Sequence, residues 1–238
     1  MEDARLEIAF GGWVDRHFSS SIESYCDILL DRIVPVFDDP EGEHKKAADS
    51  FMQGASSWFG DDYYSAVEAA YEHAQNHTMQ FLEMRAVFLA TGVSGLFHLF
   101  EKQLYLHINK ELNGWLTSPL SRWQDLEDII PKFDRKWGQD AACHDLVDAF
   151  RDPNLEELRL VANTVKHGND GQSYRQLVKR HAVVVRAERV EDDWTAGRYS
   201  VLGVDISVQV DDVKRYRDAV LRFWKVDGSF CAARSAFK

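Results

Sequence analysis

MQFLEMRAVFLATGVSGLFHLFEKQLYLHINKELN, residues 79–113, is the longest continuous pattern in the chain. Apolar residues recur through it at spacings of three and four, the period of an α-helix. Between Val87 and Leu99 nearly every side of that helix is apolar. A helix that is apolar all round must be covered by other elements, so the stretch predicts a central helix inside a helical bundle. Gly92 and Gly95 either interrupt this helix or mark places where a neighbour packs closely against it. Gly114 ends it.

Upstream, from about residue 20 to 37, Ile22, Tyr25, Cys26, Leu29, Leu30 and Ile33 repeat with the same period, and Pro35, Asp38, Asp39 and Pro40 close the helix. A further helical pattern spans about 43–58. The Gly-Asp-Asp break at 60–62 then supplies an N-cap for a segment from Tyr63 to His77. Residues 1–78 are read as an N-terminal helical segment packing on a core formed by 79–238. Downstream, Ser118-Pro119 predicts a helix over about 120–137, a shorter one follows at 140–150, and Asp152-Pro153 starts the next. A brief helix is expected at 173–179. The period then changes. AVVVRAERV (182–190) and RYSVLGVDISVQV (198–210) are rich in Val and Ile around a Glu-Asp-Asp-Trp-Thr-Ala-Gly connection, which predicts one β-hairpin over about 182–210. Asp211-Asp212 caps a closing helix, and the tail CAARSAFK is expected to fray. The fold class expected is mainly α: an antiparallel helical bundle with a small C-terminal β-hairpin and a closing helix.

No apolar run reaches the roughly 20 residues needed to cross a bilayer, so no membrane association is expected. The opening MEDARLEIAF is acidic and lacks the basic-then-apolar layout of a secretion signal. The three cysteines, Cys26, Cys143 and Cys231, are scattered, which argues against a disulfide framework or zinc site and for a reducing cytoplasm. The net charge is −11, unfavourable for a chain living on nucleic acid. Residues 151–189 reverse the sign, with eight basic side chains against five acidic ones.

That basic segment contains ELRLVANTVKHGNDG (157–171), a helix ending at a glycine turn. Helical residues four apart lie about 40° out of line, so Arg159, Asn163 and His167 share a stripe, with Lys166 nearly above Arg159. The stripe points away from the apolar line of Leu155, Leu158, Ala162 and Val165. An arginine can grip a phosphate through two N–H groups, an amide can orient it, and a histidine titrates near neutral pH. Those parts suit metal-free RNA cleavage, in which histidine takes the 2′-hydroxyl proton and cations stabilise charge on phosphorus. Arg175, Lys179 and Arg180 extend the positive surface as candidate nucleic-acid contacts. Against this stands ordinary helix-end chemistry, because the macrodipole alone favours Lys and His in a last turn and Gly168 is a common C-cap.

LRLVANTVKHGNDGQS (158–173) resembles the signature helix of the HEPN superfamily, and LGVDISVQVDDVKRYRDAVLRFW (202–224) resembles the end of bacterial HEPN-like chains. The resemblance covers about residues 79–225. Asn163 and His167 match the family's Asn-xxx-His element. The preceding position, where the family carries its arginine, is Ala162, and the nearest upstream arginine is Arg159. The resemblance implies a compact helical bundle that homodimerises across such helices. It implies an activity drawn from RNA-cleaving toxins, antiphage effectors, and non-catalytic nucleic-acid or nucleotide binders. On it, His167, Asn163 and Arg159 are the candidate catalytic residues, Lys166 binds RNA, and Glu101 on the long helix is a partner that orients His167 or Lys166.

Other constellations are weaker. His73 and His77 have metal-pair spacing but lie in EHAQNH, without a third ligand or HExxH order. No metal and no cofactor is expected. Cys143 and His144 are adjacent on a helix and point about 100° apart. Trp58, Trp123, Trp137 and Trp224 fall on apolar faces and read as core. Three functions remain open, with the first as the leading reading. They are a HEPN-type endoribonuclease of bacterial defence acting with an antitoxin or defence partner, a non-catalytic HEPN-fold binding module, and an acidic immunity-type interaction protein.

Overall fold

The computed structural model describes residues 5–60, 62–135, 146–180, 206–226 and 228–233. The chain is mainly helical. Strand β1 (Arg5–Phe10) leads into α1 (Trp13–Ile28), whose axis continues through a π-helical turn (Leu29–Ile33) and a 3-10 turn (Val34–Phe37). Helix α2 (Pro40–Phe59) begins with the Asp39 side chain accepting a hydrogen bond from the Gly42 backbone at 2.8 Å. Asp62 caps α3 (Tyr63–Glu111) in the same way, through the Ser65 amide.

Helix α3 is continuous over 49 residues, so the two helices expected at 63–77 and 79–113 are one. The sequence reading split them because the apolar stripe changes sides near residue 78. Ala66, Ala70 and Ala74 bury against α2, whereas from Leu89 onward the helix enters the main core. Helix α2 packs principally against α3, and the two form a hairpin. Gly92 and Gly95 belong to the close-packing alternative. A Cβ at Gly92 would lie 2.5 Å from Leu29 Cδ2, and one at Gly95 would strike the Tyr25 hydroxyl. That hydroxyl donates to the Gly92 carbonyl at 2.8 Å.

Helix α4 (Trp123–Ile129) and a 3-10 turn (Ile130–Lys132) replace the longer helix expected over 120–137. Pro131 cannot donate a helical hydrogen bond, and the chain turns into the short strand β2 (Asp134–Arg135). Helix α5 (Leu146–Phe150) is followed by α6 (Pro153–His167), α7 (Gln172–Arg180), α8 (Val210–Trp224) and strand β3 (Gly228–Ala233). Most of the expected hairpin at 182–210 lies outside the described residues; Ile206–Gln209 form no strand and Val210 opens α8. The sheet that the structure does contain was not expected. β3 is its central strand, flanked antiparallel by β1 and β2, with Ile8 opposite Phe230 and Phe10 opposite Gly228. Part of the tail read as frayed is therefore ordered, because Phe230 is buried against Phe10.

The core gathers where α3, α6, α8 and the sheet meet. Phe100, Phe223, Trp224 and Phe10 pack edge to face or tilted around His107. The His107 Nε2 donates to the Ala9 carbonyl at 2.9 Å, which ties α3 to β1. Among the described residues no helix is long and apolar enough to cross a membrane.

Candidate functional site

Helix α6 starts where the sequence placed it. Asp152 accepts from the Asn154 amide at 2.8 Å and Pro153 occupies the first turn. Burial alone pushes the Asp152 carboxyl up, but hydrogen bonds from Arg222 and Asn154 outweigh it and hold the group below its ordinary value. The helix ends at Gly168, whose φ of 80° is one that residues with a Cβ rarely adopt.

Most of the circumference of α6 is covered. Leu155, Leu158 and Ala162 are buried, and so are Glu157, Leu160, Val161 and Thr164 around the axis from them. The remaining arc carries Glu156, Arg159, Asn163, Lys166 and His167. The stripe read from the sequence is thus the open arc of an otherwise enclosed helix. Its members differ in how far they are committed. Arg159 is mostly covered and leans toward Glu127, with 4.0 Å between the charged groups. It lines a cleft of about 410 Å³ together with Trp123, Glu127, Phe150, Arg151 and Glu156. Asn163 is half-buried, and Lys166 and His167 are exposed. No hydrogen bond or ion pair holds any of these three side chains among the described residues.

Arg159 and His167 are eight residues apart, roughly 12 Å along the axis at 1.5 Å per residue, so they do not converge on one phosphate. Asn163 and His167 are one turn apart. Ala162 is fully buried, so the position where the family resemblance expects an arginine faces the core and offers nothing to a ligand. Glu101 is engaged on its own helix. Its carboxylate accepts from Tyr105 at 3.1 Å and pairs with His98 at 3.3 Å. Of the flanking cations, Arg180 pairs with Glu156 at 2.7 Å and Arg175 donates to the Asp170 carbonyl, while Lys179 is exposed.

No protein-family model, curated protein or solved structure matches this chain.

A heavily bonded group of the described residues lies on the other side of α6, and the sequence reading missed it. Glu157, only 5% exposed, receives two bonds from Arg215 of α8, at 2.8 and 3.0 Å, and a third from the Tyr216 hydroxyl at 3.0 Å. Arg215 also bonds Asp212 and Asn154. Burial and the Glu157 charge push the Tyr216 phenol well up, and the Glu157 hydrogen bonds hold Arg215 firmly protonated. One signal for Glu157 was available. It sits three, four and seven residues before Leu160, Val161 and Thr164, all on a buried face. Its partner is 58 residues away, and periodicity cannot supply that.

His73 and His77 do not form a ligand pair. His73 packs on Phe51, and His77 Nδ1 is buried without a hydrogen-bond partner. Among the described residues no group of three or more His, Cys, Asp or Glu could hold a metal ion. Cys143 and His144 lie outside the described residues. The open arc can present an amide, an ammonium and an imidazole to a ligand, with a guanidinium two turns away in a cleft beside the stacked rings of Trp123 and Phe150.

Proposed function

We propose that this chain is a HEPN-type helical module that binds single-stranded RNA along the open arc of α6 without cutting it. The observation that carries the reading is the uncommitted set Asn163, Lys166 and His167 on the exposed side of a helix otherwise enclosed. A strand laid along the arc would meet Lys166 and His167 at one phosphate and Arg159 at another, since the roughly 12 Å between them spans about two nucleotides. The aromatic edge of the cleft beside Arg159 would take a base. Cleavage is the less favoured outcome because Ala162 is buried, Arg159 leans toward Glu127, and among the described residues no side chain bonds the imidazole.

A second reading keeps the ribonuclease. It is favoured by His167, which stands exposed on the last turn of α6. In that reading a homodimer brings two such turns together, and the protein acts as a defence effector with His167 as acid–base group.

The test measures fluorescence anisotropy of a labelled single-stranded RNA, alongside a gel assay of the same RNA with chelator present. The binding reading expects intact RNA and an affinity that falls several-fold in Lys166→Ala and Arg159→Ala. The ribonuclease reading expects chelator-resistant products ending in 2′,3′-cyclic phosphate. It also expects a loss on the order of 10²- to 10⁴-fold in His167→Ala. Wild type and all three variants behaving alike in both assays would make the arc a helix terminus and nothing more.

A further inference from the structure

Trp58 was expected in the core, yet 71% of its surface is exposed. It stands at the end of α2, beside the turn where Tyr63 and Tyr64 open α3. Tyr64 is 86% exposed and Tyr71 61%, with Val67 between them also open. Residues 64, 67 and 71 are three and four apart, so they form one line along α3. That line runs about a quarter-turn around α3 from Ala66, Ala70 and Ala74, which are buried against α2, and the Tyr71 ring also meets His44 of α2 edge to face. The hairpin has satisfied its inner face with alanines and left a row of large apolar and aromatic side chains outside. Contiguous patches of this kind mark protein-interaction sites, and exposed tyrosine and tryptophan are the usual anchors.

The charge around the row selects the partner. Residues 40–83 hold eight Asp and Glu against two Lys, so this hairpin carries a net −6 of the chain's −11. Glu68 and Glu72 are exposed and flank the tyrosine row one turn apart. A second copy would bring the same acidic face against it, and an RNA strand would bring phosphates; both are opposed by like charge. We propose that the outer face of the α2–α3 hairpin is a docking surface for a basic amphipathic helix of another protein. Its apolar side would cover Tyr64, Val67 and Tyr71, and its lysines or arginines would meet Glu68 and Glu72. This is helix-on-helix recognition, in which apolar anchors at helical spacing give affinity and the flanking charges set partner and direction.

The experiment titrates the full chain with a synthetic helical peptide carrying leucines at helical spacing and lysines elsewhere. The comparison peptide has glutamates in place of the lysines. Binding is read by tryptophan fluorescence and calorimetry. The lysine peptide is expected to bind and the glutamate peptide not to. Tyr64→Ser with Tyr71→Ser should weaken binding by about tenfold or more, the loss typical of anchor residues. Glu68→Lys with Glu72→Lys should weaken it comparably, whereas Glu23→Lys, exposed on α1, should change it little. Both tyrosines lie outside the core, and the exposed Tyr71–His44 ring contact is a minor loss, so circular dichroism of that variant should match wild type. The proposal is overturned if the tyrosine variant binds the lysine peptide as tightly as wild type, which would make the attraction one of bulk charge. It is equally overturned if wild type sediments at twice 27.4 kDa and the tyrosine variant reverts to monomer, which would make the occupant a second copy. Competition for the face by single-stranded RNA would overturn it as well.

Discussion

Arg215→Ala should be among the most destabilising single changes on the surface-facing side of α8. The side chain is 35% exposed, yet it donates four hydrogen bonds, two of them to Glu157, whose side chain is 6% exposed. Removing one partner of a buried ion pair costs about 3–5 kcal/mol, because the remaining charge keeps its desolvation penalty. Arg215 is partly open, so water can enter the vacated space and screening discounts that figure. Tyr216 also continues to donate to Glu157. The expected loss is about 2–3 kcal/mol. For a chain of this size each kcal/mol moves the melting temperature by about 2–4 °C, so the midpoint should fall by roughly 4–12 °C. Urea denaturation followed by far-ultraviolet circular dichroism reads the free energy, and a thermal scan reads the midpoint. Glu157→Leu supplies the control. Made in a Tyr216→Phe background, so that no buried hydroxyl is stranded, it leaves Arg215 with Asp212 and access to solvent, so it should cost less than Arg215→Ala does in that background, and Glu157→Leu with Arg215→Met should recover much of the loss. A cost below about 0.5 kcal/mol for Arg215→Ala would refute the reasoning, as would a larger cost for Glu157→Leu.

Two further outcomes are expected. Gly95→Ala should destabilise by about 1–2 kcal/mol despite the better helix propensity of alanine, since its methyl strikes the Tyr25 hydroxyl, and Tyr25→Phe in the same chain should relieve part of that cost in urea. Burial pushes His107 below its ordinary value of 6.5, so the unfolded chain binds that proton more tightly than the folded one. Stability should therefore rise with pH from the folded value up to about 6.5, and the contribution should be lost as pH falls through that window. His107→Gln should flatten that part of the urea-midpoint profile, and an unchanged slope would exclude the buried imidazole as its source.

The helical elements were legible because their signals are local. Asp62 and Asp152 cap α3 and α6 where their positions beside a helical pattern placed them, and Gly168 ends α6. The long helix was split in two because its buried face rotates from Ala66, Ala70 and Ala74 to the main core, and a single-stripe pattern cannot follow a helix that serves two neighbours. The sheet was missed although Ile8 and Phe10 alternate with Glu7 and Ala9, the period of a half-buried strand. A run so short gains its meaning from Phe230, which no window reaches. In the candidate site, the arc from Arg159 to His167 was readable from spacing alone. The turn of Arg159 toward Glu127 and the engagement of Glu101 by His98 and Tyr105 depend on which helices become neighbours.

The pairing of Arg5–Phe10 with Gly228–Ala233 imposes an order on the birth of the molecule. During synthesis the first strand emerges long before its partner, and it must wait while more than two hundred residues are added. Closing so long a loop costs roughly 5 kcal/mol of chain entropy, against small fractions of that for the next helical turn. The α2–α3 hairpin can zip as it leaves the ribosome, because its contacts are close in sequence. Ile8 and Phe10 cannot settle against Phe230 until the last strand is free. Until then the newborn chain exposes an unpaired strand edge and leaves the contact of Phe10 with His107 of α3 unsupported, and a chaperone would have its longest opportunity there.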